Sequence, residues 1–215
     1  KTKLTHGALD YQTYPDWAVW NLTGSPFDIT DAIKPSWSKA GKATSDLAEL
    51  KEFISQADLD YVSVLDEGDY FDKTYLAQIL LGMQGQVPAG VYCDEDHYQP
   101  PYGAVNPPFL KPEPSEALLL SINYLRHAFF HRNLVMAIKD IPWSLTELRE
   151  KLAWQVLEHN QQVLHIPGRL IHAAQPIVPR HKDLLSRTAL IQVVLEEKGL
   201  QGVTCGVSET GRMHA

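Results

Sequence analysis

The segment Tyr61–Asp69, with the sequence YVSVLDEGD, decides the fold expected for this chain. Its first part, Tyr61–Leu65, is a largely apolar run bounded by acidic residues, which predicts a buried strand. Its second part, Asp66–Asp69, is an acidic turn in which Gly68 lets the backbone bend tightly. Carboxylates fixed at a strand end suit a hard divalent cation such as Mg²⁺ or Mn²⁺. The alternative is an acidic loop that caps the helix after Asp72.

Strands and helices are predicted to alternate outward from this segment. Apolar spacing and capping residues predict helices that begin at Ser45, Asp72, Ser115, Ser144 and near Lys182, and strands at 18–22, 91–93, 163–166, 170–172 and 203–207. Prolines between residues 100 and 114 predict an irregular loop. This alternation predicts a single α/β domain with a mainly parallel central sheet flanked by helices, which binds ligands at the C-terminal strand ends.

The bulk properties narrow the classes of function. A length of 215 residues suits one α/β domain. The net charge of −7 argues against general nucleic-acid binding, although a metal or backbone N–H groups can still hold a phosphorylated ligand. Cys93 and Cys205 lack metal or redox spacing, which predicts a cytoplasmic protein. No apolar run is long enough to span a membrane. The first residues lack a signal peptide and an initial Met, so we expect a piece of a longer protein.

Six segments together resemble family 2 glycosyltransferases of the bacterial surface-polysaccharide type. In chain order they are 11–17 (YQTYPDW), 65–69 (LDEGD), 91–97 (VYCDEDH), 108–112 (PFLKP), 121–127 (SINYLRH) and 165–172 (HIPGRLIH). The resemblance is collinear from about residue 8 to residue 207. It implies one domain of the Rossmann-like GT-A fold, with a nucleotide-sugar half (1–98), an acceptor half (99–180) and a C-terminal helix and strand (181–215).

The resemblance also implies an activity. Enzymes of this family move a sugar from a nucleotide-diphosphate donor to a glycan or lipid-linked glycan acceptor, with inversion, in cell-surface polysaccharide synthesis. A metal neutralises the diphosphate leaving group, and a carboxylate deprotonates the acceptor hydroxyl. We therefore expect Mn²⁺ or Mg²⁺ as cofactor, other domains of a larger chain as partners, and a location at the inner face of the membrane.

Roles follow for the residues that match the family motifs. Donor binding is assigned to Gly24, Ser25 and Asp66, and metal binding to Asp66, Asp69 and His172. Acceptor binding is assigned to Asp94 and His127, and catalysis to Glu95, Asp96 and Glu147. Other interpretations stay open for several of them. Asp94–Asp96 also fits a solvated loop, Glu147 fits a capping box with Ser144, and His172 fits a structural role.

Several family features are altered in this chain. The sequence from Lys1 onward contains no counterpart of the family's opening strand, the second Asp of Asp-x-Asp falls on Gly68, and Leu145 stands where the family has its catalytic base. These departures support a second hypothesis, a catalytically degenerate domain that serves as a scaffold or glycan-binding module. A third, an α/β-hydrolase-like domain, lacks the Gly-x-Ser-x-Gly motif that it requires.

Overall fold

The fold is taken from a computed structural model. It describes residues 5, 7–9, 11–17, 47–56, 58–66, 68–99, 103–104, 108–139, 145–158, 162–175, 181–207 and 213–214. The helices are α1 (Leu47–Gln56), α2 (Tyr75–Met83), α3 (Glu116–Ser121), α4 (Arg132–Ala137), α5 (Leu145–Glu158) and α6 (His181–Glu197). The strands are β1 (Tyr61–Val62), β2 (Tyr70–Phe71), β3 (Gly90–Gln99), β4 (Gly103–Ala104), β5 (Phe129–His131), β6 (Val163–Ala173), β7 (Gly206–Val207) and β8 (Met213–His214).

The central sheet is mixed and curled, so the predicted mainly parallel, Rossmann-like sheet is wrong. Its strand order is β1-β5-β3-β6-β2, with β4 paired to β3. Among the described strands, β3 and β6 form the single parallel pair, and β1, β2, β4 and β5 all pair antiparallel. The alternation of strands and helices suggested parallel strands, but β5 is antiparallel to β3 and β2 is antiparallel to β6. The functional groups therefore cannot be located by the rule for parallel strand ends.

Two long strands form the centre of the sheet where short ones were expected. The segment Val91–Cys93 is part of β3, which continues through the acidic residues to Gln99. The two strands expected around Pro167 and Gly168 are one strand, β6, interrupted by irregular register against β3. Pro167 has no backbone N–H to donate to a neighbouring strand, and Gly168 adopts a φ of +145°. These two residues therefore suit a β-bulge.

Both faces of β3 are buried. Tyr92 points into a core formed with the helices α1, α3, α5 and α6, whereas Val91 and Cys93 point into a second core with α2 and β6. Alternating side chains on one strand thus serve two layers, as period-2 geometry requires. The acidic residues that follow Cys93 continue this buried strand, which removes the solvated-loop interpretation of Asp94–Asp96.

The helix boundaries agree in part with the predictions. The Ser115 side chain accepts a hydrogen bond from the Leu118 N–H, which confirms its predicted capping role. Helix α2 begins at Tyr75, three residues after the predicted cap, because Asp72 accepts hydrogen bonds from the Thr74 N–H and hydroxyl in the preceding turn. Leu80 on α2 is 39% exposed, although it lies next to the buried Ile79.

A buried ion pair joins the helices on the first face of the sheet. Nε of Arg187 lies 2.8 Å from Glu150 Oε1, and Arg187 also donates to the carbonyls of Leu119 and Leu120. Asn123 donates to the same Glu150 oxygen at 3.1 Å. These contacts connect α5 and α6 to the end of α3, so charge as well as apolar packing fixes this layer.

Candidate functional site

A buried charge network lies on one side of β3. We call it the Glu95 network; its members are Asp69, Glu95, Lys111, Arg126 and His127. Glu95 is 2% exposed, and the side chains of Lys111, Arg126 and His127 surround its carboxylate. Lys111 Nζ lies 2.9 Å from Oε2, Arg126 donates to Oε1 at 2.5 Å, and His127 Nδ1 lies 3.0 Å from Oε2. Burial on its own is unfavourable for a carboxylate, so this site requires compensating charges.

The surroundings of Glu95 keep it ionised. Burial acts to raise the pKa of Glu95, but the charges of Lys111, His127 and Arg126 outweigh it and hold that pKa well below its ordinary value of 4.5. The Lys111 ammonium is at ion-pair distance but lacks hydrogen-bond geometry toward any described residue. Glu95 is thus a fixed anion, which suits the orientation of neighbouring groups better than the acceptance of a proton.

His127 connects Glu95 to Asp69. Its Nδ1 faces Glu95, and its Nε2 lies 3.1 Å from Asp69 Oδ2 without hydrogen-bond geometry. Asp69 is 1% exposed and also accepts the backbone N–H groups of Asp66 and Ala174, at 2.7 and 3.0 Å. Burial acts to raise the pKa of Asp69, but His127 and these two N–H groups lower it below its ordinary value of 3.8.

Asp66 lies at the more open rim of the same cluster. Its side chain is 32% exposed, and Arg149 of α5 donates to Oδ2 at 3.0 Å. The turn between Asp66 and Asp69 depends on Gly68, whose φ of +101° favours glycine and whose N–H donates to Thr5 Oγ1 at 2.8 Å. The predicted tight turn at Gly68 is confirmed, and it brings the two aspartates together.

The acidic residues on either side of Glu95 form separate contacts. Asp94 Oδ1 accepts the Lys111 N–H at 2.8 Å and lies 2.9 Å from His165 Nε2, while Oδ2 accepts the Gly168 N–H at 3.0 Å. Burial acts to raise the pKa of Asp94, but these donors lower it below 3.8. The carboxylate therefore holds the Lys111 loop and the β6 bulge against β3.

Asp96 forms a pair with His172. The residue is 4% exposed, and its Oδ1 lies 2.7 Å from Nδ1 of His172, whose side chain is 25% exposed. A carboxylate can only accept, so this bond places a proton on Nδ1 and leaves Nε2 of the neutral imidazole as an acceptor. The arrangement is a carboxylate-oriented histidine at the border of the buried region.

Asp66, Asp69 and His127 fit a divalent cation. Each offers one ligand atom, and the three atoms lie within 4.8 Å of one another. Glu95 holds His127 by Nδ1 and leaves Nε2 on the Asp69 side, which is the arrangement of a histidine ligand supported by a second carboxylate. One imidazole nitrogen and two carboxylate oxygens suit Mn²⁺ better than Mg²⁺, which prefers oxygen ligands alone.

The predicted roles have different outcomes in the structure. Asp66 and Asp69 come together as predicted for metal ligands, but His127 completes their group, and His172 pairs with Asp96. The predicted acceptor residues Asp94 and His127 are both buried. Glu147 lies half-buried in the first turn of α5, and its role as a base stays a prediction. Gly24 and Ser25, like Ser144 of the predicted capping box, lie outside the described residues.

Four important residues received no role from the sequence: Lys111, Arg126, Arg149 and His165. Three of them lie inside segments that resemble the family, so their position in those segments was an available signal. Arg149 lies outside those segments, and its contact with Asp66 spans 83 positions of the chain. A single sequence contains no local pattern that indicates such a pair.

Two cavities of about 470 and 380 Å³ lie elsewhere, on the α4–α5 side of the molecule. Val87, Leu134 and Gln155 line the first, and Trp154 and Lys151 line part of the second. Neither is lined by a member of the Glu95 network.

A scan of protein-family models and a search of curated proteins gave no match to this chain. None of the helices in the described part of the chain has the length and apolar content needed to cross a bilayer.

Proposed function

We propose that this chain is an inverting, metal-assisted glycosyltransferase domain that moves a sugar from a nucleotide-diphosphate donor to a glycan or lipid-linked glycan acceptor in cell-surface polysaccharide synthesis. One observation carries the proposal. Five of the segments that resemble family 2 glycosyltransferases are spread from residue 65 to residue 172, yet their polar side chains and backbone N–H groups form one contiguous cluster. The links run from Asp66 through Asp69, His127, Glu95 and Lys111 to Asp94 and His165.

Asp66, Asp69 and His127 are the residues that would hold the metal. A bound Mn²⁺ or Mg²⁺ supplies positive charge for the departing diphosphate. Glu95 fixes the imidazole of His127, and Asp69 is held by two backbone N–H groups, so both groups are oriented in advance. Such preorganisation reduces the reorganisation that ligand binding would otherwise require.

Arg149 adds a fixed positive charge beside Asp66. Its side chain is 11% exposed and reaches the same carboxylate from α5. A planar guanidinium binds phosphate oxygens in a defined orientation, and a partly buried site strengthens the interaction. We assign Arg149 to the donor phosphates.

The proton of the acceptor hydroxyl is assigned to His172. Nε2 is the acceptor atom of the neutral imidazole, and Asp96 orients the ring and stabilises the imidazolium that forms on proton transfer. The pKa of Glu95, the other buried candidate, is held well below its ordinary value by Lys111, His127 and Arg126, so this carboxylate is poorly suited to accept a proton. We place the domain at the inner face of the cell membrane.

A degenerate, non-catalytic domain is the second candidate function. The observation that favours it is that Arg149 already neutralises Asp66, while Asp69 accepts two backbone N–H groups and lies 3.1 Å from His127. The cluster is therefore balanced by the protein's own charges. In this case the chain would bind a glycan or a partner without transferring a sugar.

Calorimetry separates the two candidates. We expect uridine, guanosine or thymidine diphosphate to bind this chain when Mn²⁺ is present, and Asp66→Asn to weaken that binding at least tenfold. Asp58→Asn is the matched control, since Asp58 is 97% exposed and contacts only Arg132 among the described residues. No heat with any of the three nucleotides, or equal binding by both variants, would contradict the proposal.

A further inference from the structure

The outward face of helix α6 lacks charge over most of its length. Between Leu184 and Leu195 the helix contains one charged residue, Arg187, and its side chain points inward, where Nε lies 2.8 Å from Glu150 Oε1. A surface helix of a globular protein ordinarily carries charged and polar residues on the face opposite the core, and a helix that is apolar on all sides is usually buried. The composition of α6 therefore fits a helix that is covered on both faces.

Apolar side chains occupy the outward face instead. Leu185 and Val193 are 57% and 50% exposed, and Ala189, midway between them, is exposed as well. The three residues are spaced four apart, so they lie in one line along the helix. We call them the α6 row. The other face of the helix packs into the core through Ile191 and Val194, so the core does not cover the α6 row.

The α6 row is complementary to itself when a second copy of the helix lies antiparallel. In a two-fold symmetric pair centred on Ala189, Leu185 of each copy meets Val193 of the other. In the sequence, Lys182 precedes Ala189 by seven residues and Glu196 follows it by seven. The same pairing therefore places a lysine position opposite a glutamate position at both ends of the contact. A parallel pair would place like charges together.

We propose that the α6 row is a homodimer interface, in which two α6 helices pack antiparallel with Ala189 on the two-fold axis. The small side chain of Ala189 lets the helices approach closely, and a shallow crossing angle of about 20° keeps Leu185 in contact with Val193 of the other copy. One helix pair buries little surface, so the dimer is weak and depends on concentration. This interface is independent of the proposed function, because α6 contributes no side chain to the Glu95 network.

Sedimentation equilibrium of the full chain at increasing concentration tests whether the dimer exists. We expect the wild type to pass from monomer to dimer, and Val193→Glu to weaken association at least tenfold, because it places an unpaired carboxylate in the apolar contact. Leu81→Glu is the matched control, since Leu81 is 75% exposed and lies on α2. A wild-type chain that stays monomeric at every concentration, or equal association by the two variants, would overturn the proposal.

Disulfide cross-linking tests the direction and register of the pair. The background is Cys205→Ser, in which the remaining cysteine, Cys93, is buried. Ala189→Cys should form an intermolecular disulfide with its own copy, because residues at the axis come within bonding distance. Leu185→Cys should cross-link to Val193→Cys when the two proteins are mixed, and neither should cross-link alone. Self-linking of Leu185→Cys, as in a parallel pair, or an Ala189→Cys variant that stays reduced, would overturn the proposal.

Discussion

Glu95 and Asp66 lie in the same cluster and differ in how completely the protein satisfies them. Glu95 is 2% exposed and contacts Lys111, Arg126 and His127, whereas the Asp66 side chain is 32% exposed and contacts one basic side chain, Arg149, among the described residues. A saturated buried carboxylate contributes to folding and has little capacity left for a ligand. A partly exposed carboxylate such as that of Asp66 can exchange its protein partner for a ligand. Under the proposed function, Glu95 therefore has a structural role and Asp66, at the rim, takes part in ligand binding.

Replacement of the central carboxylate should have the largest effect. Glu95→Gln leaves the buried Lys111 and the largely buried Arg126 without their counter-charge, and we expect a loss of about 3–5 kcal/mol in the free energy of unfolding. Urea unfolding followed by circular dichroism measures it, with Glu49→Gln, exposed on α1, as control. The double variant Glu95→Gln/Lys111→Met should lose less than the sum of the single changes. Additive losses would show that the two charges are not coupled.

Acid should remove the same stabilisation from the wild-type protein. The pKa values of Asp69, Asp94 and Glu95 are lower in the folded protein than their ordinary values of 3.8, 3.8 and 4.5. The unfolded chain therefore takes up these protons first, so the stabilisation is complete above those ordinary values and is lost as the pH falls through and below them.

Unfolding experiments at pH 7, 5, 4 and 3 check this dependence. Asp94→Asn lacks one of the three groups, so its stability should change less between pH 7 and pH 3 than that of the wild type. A wild-type free energy of unfolding that stays constant down to pH 3 would contradict the assignment.

Substitution of Asp66, at the rim of the cluster, should change stability little and metal binding strongly. Asp66→Asn removes one partly exposed ion pair, and we expect a change of less than about 1 kcal/mol in the free energy of unfolding. The same change should reduce Mn²⁺ affinity at least tenfold in a calorimetric titration. A variant that loses several kcal/mol of stability but keeps its metal affinity would reverse the comparison between Asp66 and Glu95.

Arg149 should produce the smallest effect. It competes with a cation for Asp66, so Arg149→Met should raise Mn²⁺ affinity severalfold while weakening the binding of uridine diphosphate in the presence of saturating Mn²⁺. Arg132→Met, which removes the contact of an arginine with the exposed Asp58, is the control. Unchanged affinity for both ligands would exclude Arg149 from the site.

The local features of the sequence were more informative than the long-range ones. The Ser115 cap, the turn at Gly68 and the meeting of Asp66 with Asp69 follow from residue chemistry within a few positions. The sheet could not be predicted in the same way, because the direction of β5 and β2 depends on pairing between segments far apart in the chain. The burial of Asp94–Asp96 was missed for a related reason, since their partners come from distant residues such as Lys111, His127 and His172.

Electron paramagnetic resonance of Mn²⁺ tests the central claim most directly. We predict that the wild-type chain removes the six-line signal of free Mn²⁺ at a stoichiometry near one, and that the bound ion shows coupling to a histidine nitrogen. Asp66→Asn should restore the free signal, and His127→Gln should remove the nitrogen coupling, whereas His172→Gln should leave both unchanged. An undiminished free signal in the presence of the wild-type chain, or nitrogen coupling that survives His127→Gln, would contradict the account.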